Sequence, residues 1–127
     1  GFIPVQDKLY LIAGVKMPEG ASIERTDAAL KKMAALAKQV DGIESEIAFP
    51  GLNPLQFTNT PNNGVVFFTL KPFSERKRSA AEITAELNQK LSTIQEGFTF
   101  AFMPPPIQGL GNGSGWSLFV EDRTRLG

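Results

Sequence analysis

Residues 65–103 read VVFFTLKPFSERKRSAAEITAELNQKLSTIQEGFTFAFM, and the fold turns on how this stretch is parsed. Val65 to Leu70 is a run of β-branched and aromatic residues that suits a buried strand. Ser79 and Glu82 then stand at the spacing of a capping box, in which each side chain accepts a hydrogen bond from the other residue's backbone N–H. Ile83, Leu87, Leu91 and Ile94 recur at helical spacing, so a helix with one apolar face is expected after Ser79. Gly97 stops it. Phe98 to Met103 makes another strand, and Pro104-Pro105-Pro106 forbids further pairing because proline has no N–H to donate.

The residues before this stretch repeat its order. Leu9 to Met17 (LYLIAGVKM) is an apolar strand, and Pro18-Glu19-Gly20 breaks it in a turn. Ser22 is placed to cap a helix running to about Val40, with Ile23, Leu30, Met33, Ala34, Ala37 and Val40 on one face. Asp41-Gly42 ends that helix, and Ile43 to Phe49 alternates apolar and polar residues as a strand with one wet face. Pro50 to Asn63, rich in Pro, Gly, Asn and Thr, reads as a long loop of the kind that is usually functional or mobile. The order is βαββαβ. The expected class is therefore α+β, a ferredoxin-like two-layer sandwich: a four-stranded antiparallel sheet with both helices on one face. A glycine-rich run, Gly109 to Gly115, then leads to a short fifth strand, Trp116 to Glu121.

Composition narrows the function. A chain of 127 residues suits one domain. Thirteen basic residues balance thirteen acidic ones, so no net field draws it to nucleic acid or an anionic membrane. It has no cysteine and no histidine, which excludes disulfides, thiol nucleophiles, Ser-His-Asp triads and the common zinc sites. No catalytic residue, metal or cofactor is expected. No apolar run approaches the roughly 18–20 residues that cross a bilayer, and no signal peptide opens the chain, so as it stands it is expected to be soluble.

One feature calls for a function. In a two-layer sandwich the face away from the helices should alternate with polar residues where it meets water. Here strand one sets Leu9, Leu11, Ala13 and Val15 against Tyr10, Ile12 and Gly14, so both faces are apolar. Strand three sets Val66, Phe68 and Leu70 against Val65 and Phe67, and strand four sets Phe98, Phe100 and Phe102 against Ala101 and Met103. The second face is thus covered or used, by another domain, a partner chain or an apolar ligand. The plainer alternative is that some of these residues fill one core and the domain dimerises through its sheet.

Other motifs carry less. The run from Gly109 to Gly115 lacks the Lys-Ser/Thr of a phosphate loop and precedes a strand, so it reads as a hinge. Arg76-Lys77-Arg78 reads as a solvated turn. Glu44 and Glu46 have no nucleophile or metal-ligand cluster near them in sequence and read as an exposed strand face. An RNA-binding sheet of this topology would want basic residues around its aromatic third strand, and only Lys71 stands beside Phe67 and Phe68. Acylphosphatase-like chemistry would want an arginine between strand one and helix one, and there is none.

Five segments resemble one family. Phe2-Ile3-Pro4-Val5-Gln6-Asp7-Lys8 resembles the segment after a transmembrane helix in transporters of the resistance-nodulation-division (RND) superfamily, and Met17-Pro18-Glu19-Gly20-Ala21-Ser22-Ile23-Glu24-Arg25-Thr26 resembles their strand-to-helix turn. Ala48-Phe49-Pro50-Gly51-Leu52, Thr69 to Arg76 (TLKPFSER) and Pro104 to Gly111 (PPPIQGLG) are similar to the same family, in its AcrB-type, MexF-like branch. The matches are collinear and span the chain.

The resemblance implies a periplasmic portion of a bacterial inner-membrane multidrug exporter, not an enzyme. Residues 1–108 would form a ferredoxin-like porter subdomain, the first of the second periplasmic loop, and residues 109–127 a linker and the first strand of the next. The full transporter would be a proton-driven homotrimer, with neighbouring porter subdomains, a periplasmic adaptor and an outer-membrane channel as partners, and amphiphilic drugs as substrates. Carried over by position, Ile12, Gly14, Ile47, Phe49, Val65, Phe67, Phe100, Phe102 and Pro104 would line the substrate cleft. Leu52, Pro54 and Phe57 would belong to a loop separating two pockets, and Gly14 stands where relatives carry a larger side chain. Strict alternation poses a problem: with Ile47 and Phe49 on the cleft face, Glu44 and Glu46 would point at the helices unless a bulge or an early strand start intervenes. The rival reading from the residues alone is an ACT-like small-molecule-sensing module, which pairs the same βαββαβ units through their sheets.

Overall fold

The computed structural model describes residues 9–54, 56 and 58–104. The segment before Leu9, the linker from Gly109, the fifth strand and the boundary at residue 108 lie outside the described residues. The elements are β1 (Tyr10–Lys16), α1 (Ile23–Ala37), β2 (Ile43–Leu52), β3 (Asn59–Leu70), a 3-10 turn (Phe73–Glu75), α2 (Ala80–Leu91) and β4 (Phe98–Phe102). They form one four-stranded sheet in the order β2-β3-β1-β4, antiparallel throughout. This is the expected α+β, ferredoxin-like sandwich.

Local chemistry sets the helix ends. Ser22 accepts a hydrogen bond from the Arg25 N–H at the start of α1. At α2 the capping box is complete: Ser79 Oγ accepts from the Glu82 N–H at 3.1 Å, and Glu82 Oε1 accepts from the Ser79 N–H at 2.9 Å. The two helices bury Ala29, Leu30, Met33, Ile83, Leu87 and Leu91 against Leu11, Ala13, Val15, Val66 and Phe68 of the sheet. Each large side chain buried here contributes about 1.5–3 kcal/mol from water exclusion. The apolar face of α1 departs from its expected membership. Ile23 is exposed, while Thr26 is buried, its hydroxyl donating to the Pro61 carbonyl at 2.6 Å.

The segment from Pro50 to Asn63 is not a long loop. β2 continues to Leu52 and β3 begins at Asn59, which leaves only residues 53–58 as a hairpin tip. Its composition misleads because the ladder is interrupted only between Pro50 and Leu52, opposite the stretch that holds Pro61. Pro50 pairs with Gly64 and Leu52 with Asn59, so Gly51 alone on β2 faces residues 60–63 on β3. Pro61 falls in that irregular stretch, where its missing N–H breaks no β2–β3 ladder bond, and Gly51 takes the φ of +89° that the bend requires.

A second irregularity settles the problem of Glu44. Ile43 pairs with Leu70 and Ser45 with Thr69, so Glu44 is an extra residue in β2, a one-residue bulge. The bulge lets Ile43 join the helix-side core while Ile47 and Phe49 face the other way. The cluster at residues 76–78 is also not a solvated turn. Arg76 is buried, donating from Nε to the Lys71 carbonyl at 2.8 Å and from Nη1 to the Arg78 carbonyl at 2.9 Å, with its guanidinium 4.1 Å from the Phe73 ring centre. Arg78 in turn pairs with Glu86 of α2. At the opposite sheet edge, Asn88 of α2 meets both backbone groups of Ala101, donating to its carbonyl and accepting from its N–H, each at 2.9 Å. That contact occupies part of the outer edge of β4, which strand pairing would otherwise leave open.

Candidate functional site

The pairing registers assemble the face away from the helices in rows. Phe102, Ile12, Phe67 and Ile47 are aligned across the four strands, and Phe100, Gly14, Val65 and Phe49 form the next row. Alternation points both rows the same way, so every candidate cleft residue within a strand lies on one face. Pro104 is half-buried just beyond β4 and belongs to no row. Rows on either side extend the face: Tyr10 with Thr69 and Ser45 at one end, and Phe98 with Lys16 and Asn63 at the other, of which alternation in the sequence places only Tyr10 and Phe98. Continuing the period of two along β1 beyond Gly14 is the signal that finds Lys16.

The face is aromatic at both flanks. On β4, Phe98 and Phe100 have ring centres 5.8 Å apart, and Phe100 stacks on Phe102 at 6.0 Å with an interplanar angle of 11°. Across the sheet, Phe49 meets Phe67 edge-on at 5.5 Å. Ile12, Val65 and Phe102 are buried and form a second apolar cluster, distinct from the helix-side core, with Leu52, Phe67 and Phe100 packed against it. The residues of the second face therefore do not fill the main core.

What buries the middle of this face is the hairpin tip. Leu52 packs on the second cluster and Pro54 is buried. The tip is held by the Asn53 N–H donating to the Thr58 carbonyl at 2.8 Å and the Gln56 N–H donating to Asn53 Oδ1 at 3.2 Å. Gly14 makes the seat. A Cβ there would come within 2.7 Å of Phe100 Cζ and 2.9 Å of Pro54 Cγ, so only glycine lets the ring and the proline both rest on β1. Phe57, expected in the same loop, lies outside the described residues. The flanks stay open to water: Ile47 is 57% exposed, Phe49 41% and Phe98 67%. An open groove of about 680 Å³ lies elsewhere, between the start of α1 and the hairpin, lined by Ile23, Pro50 and Pro61 among others.

Among the described residues no three His, Cys, Asp or Glu side chains converge as a metal site would require, and no helix is long and apolar enough to cross a membrane. The arrangement thus offers apolar contact over a wide strip, with the hairpin tip seated on it. It defines a two-layer domain whose second sheet face is apolar.

The chain belongs to the AcrB/AcrD/AcrF family, whose model matches residues 1–125. It is 32% identical to the toluene efflux pump membrane transporter TtgB of Pseudomonas putida, over 99% of the chain and 12% of that protein. Identity is 30% to the solvent-resistant pump membrane transporter SrpB of P. putida and 30% to the multidrug resistance protein MdtF of Escherichia coli, with the same coverages. The chain thus spans 12% of the length of these relatives. The resemblance to RND exporters drawn from the five motifs holds, and TtgB and SrpB are named as membrane transporters, neither as an enzyme. The ACT-like alternative gains no support from these comparisons.

Proposed function

We propose that this chain is a periplasmic porter subdomain of a proton-driven RND multidrug exporter, and that its open sheet face lines the access and binding cleft for amphiphilic drugs. Residues 1–108 form the subdomain, and residues 109–127 form the linker and opening strand of the next. The observation that carries the reading is the alignment of Ile12, Gly14, Ile47, Phe49, Val65, Phe67, Phe100 and Phe102 on one face, with its floor closed by the Pro54 tip. Such a strip gains affinity from apolar burial at about 25 cal/mol per Å², with few fixed polar contacts, which suits guests of varied shape. Phenylalanine rings add stacked or edge-on contact without demanding one partner.

In this role Leu52, Pro54 and Phe57 flex as substrate passes. The subdomain swings against its neighbours within a homotrimer that joins a periplasmic adaptor and an outer-membrane channel. Transport needs the rest of the transporter, and nucleic acid has no part in it. The test is made in the full-length transporter expressed at its normal level. Phe67→Ala and Phe102→Ala are each expected to lower resistance to bulky amphiphilic drugs. Unchanged resistance for both variants across several drug classes would overturn the assignment.

A further inference from the structure

Among the described residues the paired rows of the open face contain a single charged residue, while the exposed bulge residue Glu44 stands beside Ser45 at the far end. Lys16 ends β1 in register with Phe98 on one side and Asn63 on the other, and alternation from Ile12 and Gly14 places it on the same face. It is exposed, and among the described residues it has no carboxylate partner: the ion pairs there join Lys31 to Asp27, Lys32 to Glu96, and Arg78 and Lys90 to Glu86. Neighbouring Asn63 is turned inward, donating to Thr60 Oγ1 at 2.7 Å. Residues 53–58, the tip that covers the middle of the face, include no charged side chain to offset the ammonium.

Phe98, the strand neighbour of Lys16, is also the first rung of the Phe98–Phe100–Phe102 ladder. Four residues of strand separate the first rung from the last, about 13 Å at the usual rise. The face therefore combines an accessible aromatic end, with Phe98 exposed and Phe100 half-buried ahead of the buried Phe102, with a cation that has no ion-pair partner among the described residues.

We propose that Lys16 selects guests by charge: the face favours an amphiphile with a flat apolar body and one anionic headgroup, a carboxylate or sulfonate, over a cationic counterpart. The body lies against Phe98 and the half-buried Phe100, and the headgroup sits at Lys16. An acidic head there gains Coulomb attraction at the rim of an apolar surface, and a basic head meets repulsion. The preference is lost when salt shortens the screening length to about 3 Å at 1 M. This inference rests on the open face being a binding surface and adds the sign of charge it prefers.

The test uses two dyes with the same ring skeleton, N-phenyl-1-naphthylamine, which is neutral, and 1-anilinonaphthalene-8-sulfonate, which carries one negative charge. Each is titrated by fluorescence into the 127-residue chain and into the variants Lys16→Gln and Phe98→Ala. Both substitutions are at exposed positions and leave the cores untouched. Lys16→Gln is expected to weaken the sulfonate dye about two- to fivefold, the range of an exposed ion pair, leave the neutral dye unchanged, and lose its effect at 1 M salt. Phe98→Ala is expected to weaken both dyes. If Phe98→Ala weakens both but Lys16→Gln acts on both equally or on neither, the charge selection is wrong while the binding surface stands. If Phe98→Ala changes neither dye, or neither binds, the binding surface itself falls and this inference with it.

Discussion

Replacing Gly14 by alanine asks whether the open face is held shut by the fit of Phe100 and Pro54 on bare backbone. The added Cβ would stand 2.7 Å from Phe100 Cζ and 2.9 Å from Pro54 Cγ, where carbon pairs rest at about 3.5–4.0 Å. Both neighbours must therefore withdraw by roughly 1 Å. For Phe100 that means tilting a ring stacked on Phe102, and for Pro54 it means lifting a tip held by the Asn53–Thr58 and Gln56–Asn53 bonds. Overpacking of this kind costs about 1–3 kcal/mol, and the lower entropy of the unfolded alanine chain offsets about 0.5–1 kcal/mol of it. The expected net loss is about 1 kcal/mol, a fall in Tm of about 4 °C for a domain of this size. Urea denaturation of Gly14→Ala, Pro54→Ala and the double variant measures it as a cycle. Truncating Pro54 should cost less in the alanine background than in the native one, with a coupling of at least about 0.5 kcal/mol. An alanine variant as stable as the native chain, together with an additive cycle, would refute the argument that Gly14 seats the tip.

Two further outcomes follow from the helix-side half of the molecule. Ser79→Ala removes one arm of the capping box at α2 and should cost about 0.5–2 kcal/mol in denaturant unfolding without altering dye binding to the open face. The Lys32 ammonium holds the Glu96 carboxyl below the usual carboxylate range, with the residue's own backbone N–H a further cause. A depressed folded value means that this carboxylate's contribution to stability is fully present above its unfolded pKa and is lost as pH falls through the folded one. Carbon-13 NMR titration of Lys32→Ala should show the Glu96 carboxyl moving up towards the ordinary range, and an unmoved titration would show that Lys32 is not the cause.

The sequence is explicit where period and side-chain chemistry agree. The capping box at Ser79, the helical spacing of Ile83, Leu87 and Leu91, and the apolar alternation of β1, β3 and β4 gave the order of elements and most of the core. It is silent where a backbone irregularity overrides the period. The residues IESEIAF place Ile43, Ile47 and Phe49 at a spacing of two or four, so nothing in their pattern marks Glu44 as a bulge, and only pairing with β3 reveals that Ile43 and Ile47 face opposite ways. The Pro, Gly and Asn content of residues 50–63 reads as loop because composition reports a lost ladder bond without saying whether the strand resumes beyond it. Arg76 looks solvated in a cluster of cations because its acceptors are backbone carbonyls, which no side-chain pattern encodes. The alignment of the candidate residues on one face follows from alternation once the register is known. The seat of Pro54 on Gly14 is written in no local pattern, since it joins residues far apart in the chain.

Pro54 resting over Gly14 makes the chain a guest on its own surface. On the proposed reading of this face as a binding surface, the tip, with both ends anchored in β2 and β3, competes as a tethered ligand, at an effective concentration on the order of millimolar. A molecule that needs the same floor must first wait for it to clear. If the floor is clear for a tenth of the time, the apparent dissociation constant is about tenfold the intrinsic one. Affinity is thereby capped by the protein itself, and the buried floor returns to contact with Pro54 as soon as a visitor leaves. A surface with that built-in rival is suited to handing molecules on and poorly suited to storing them.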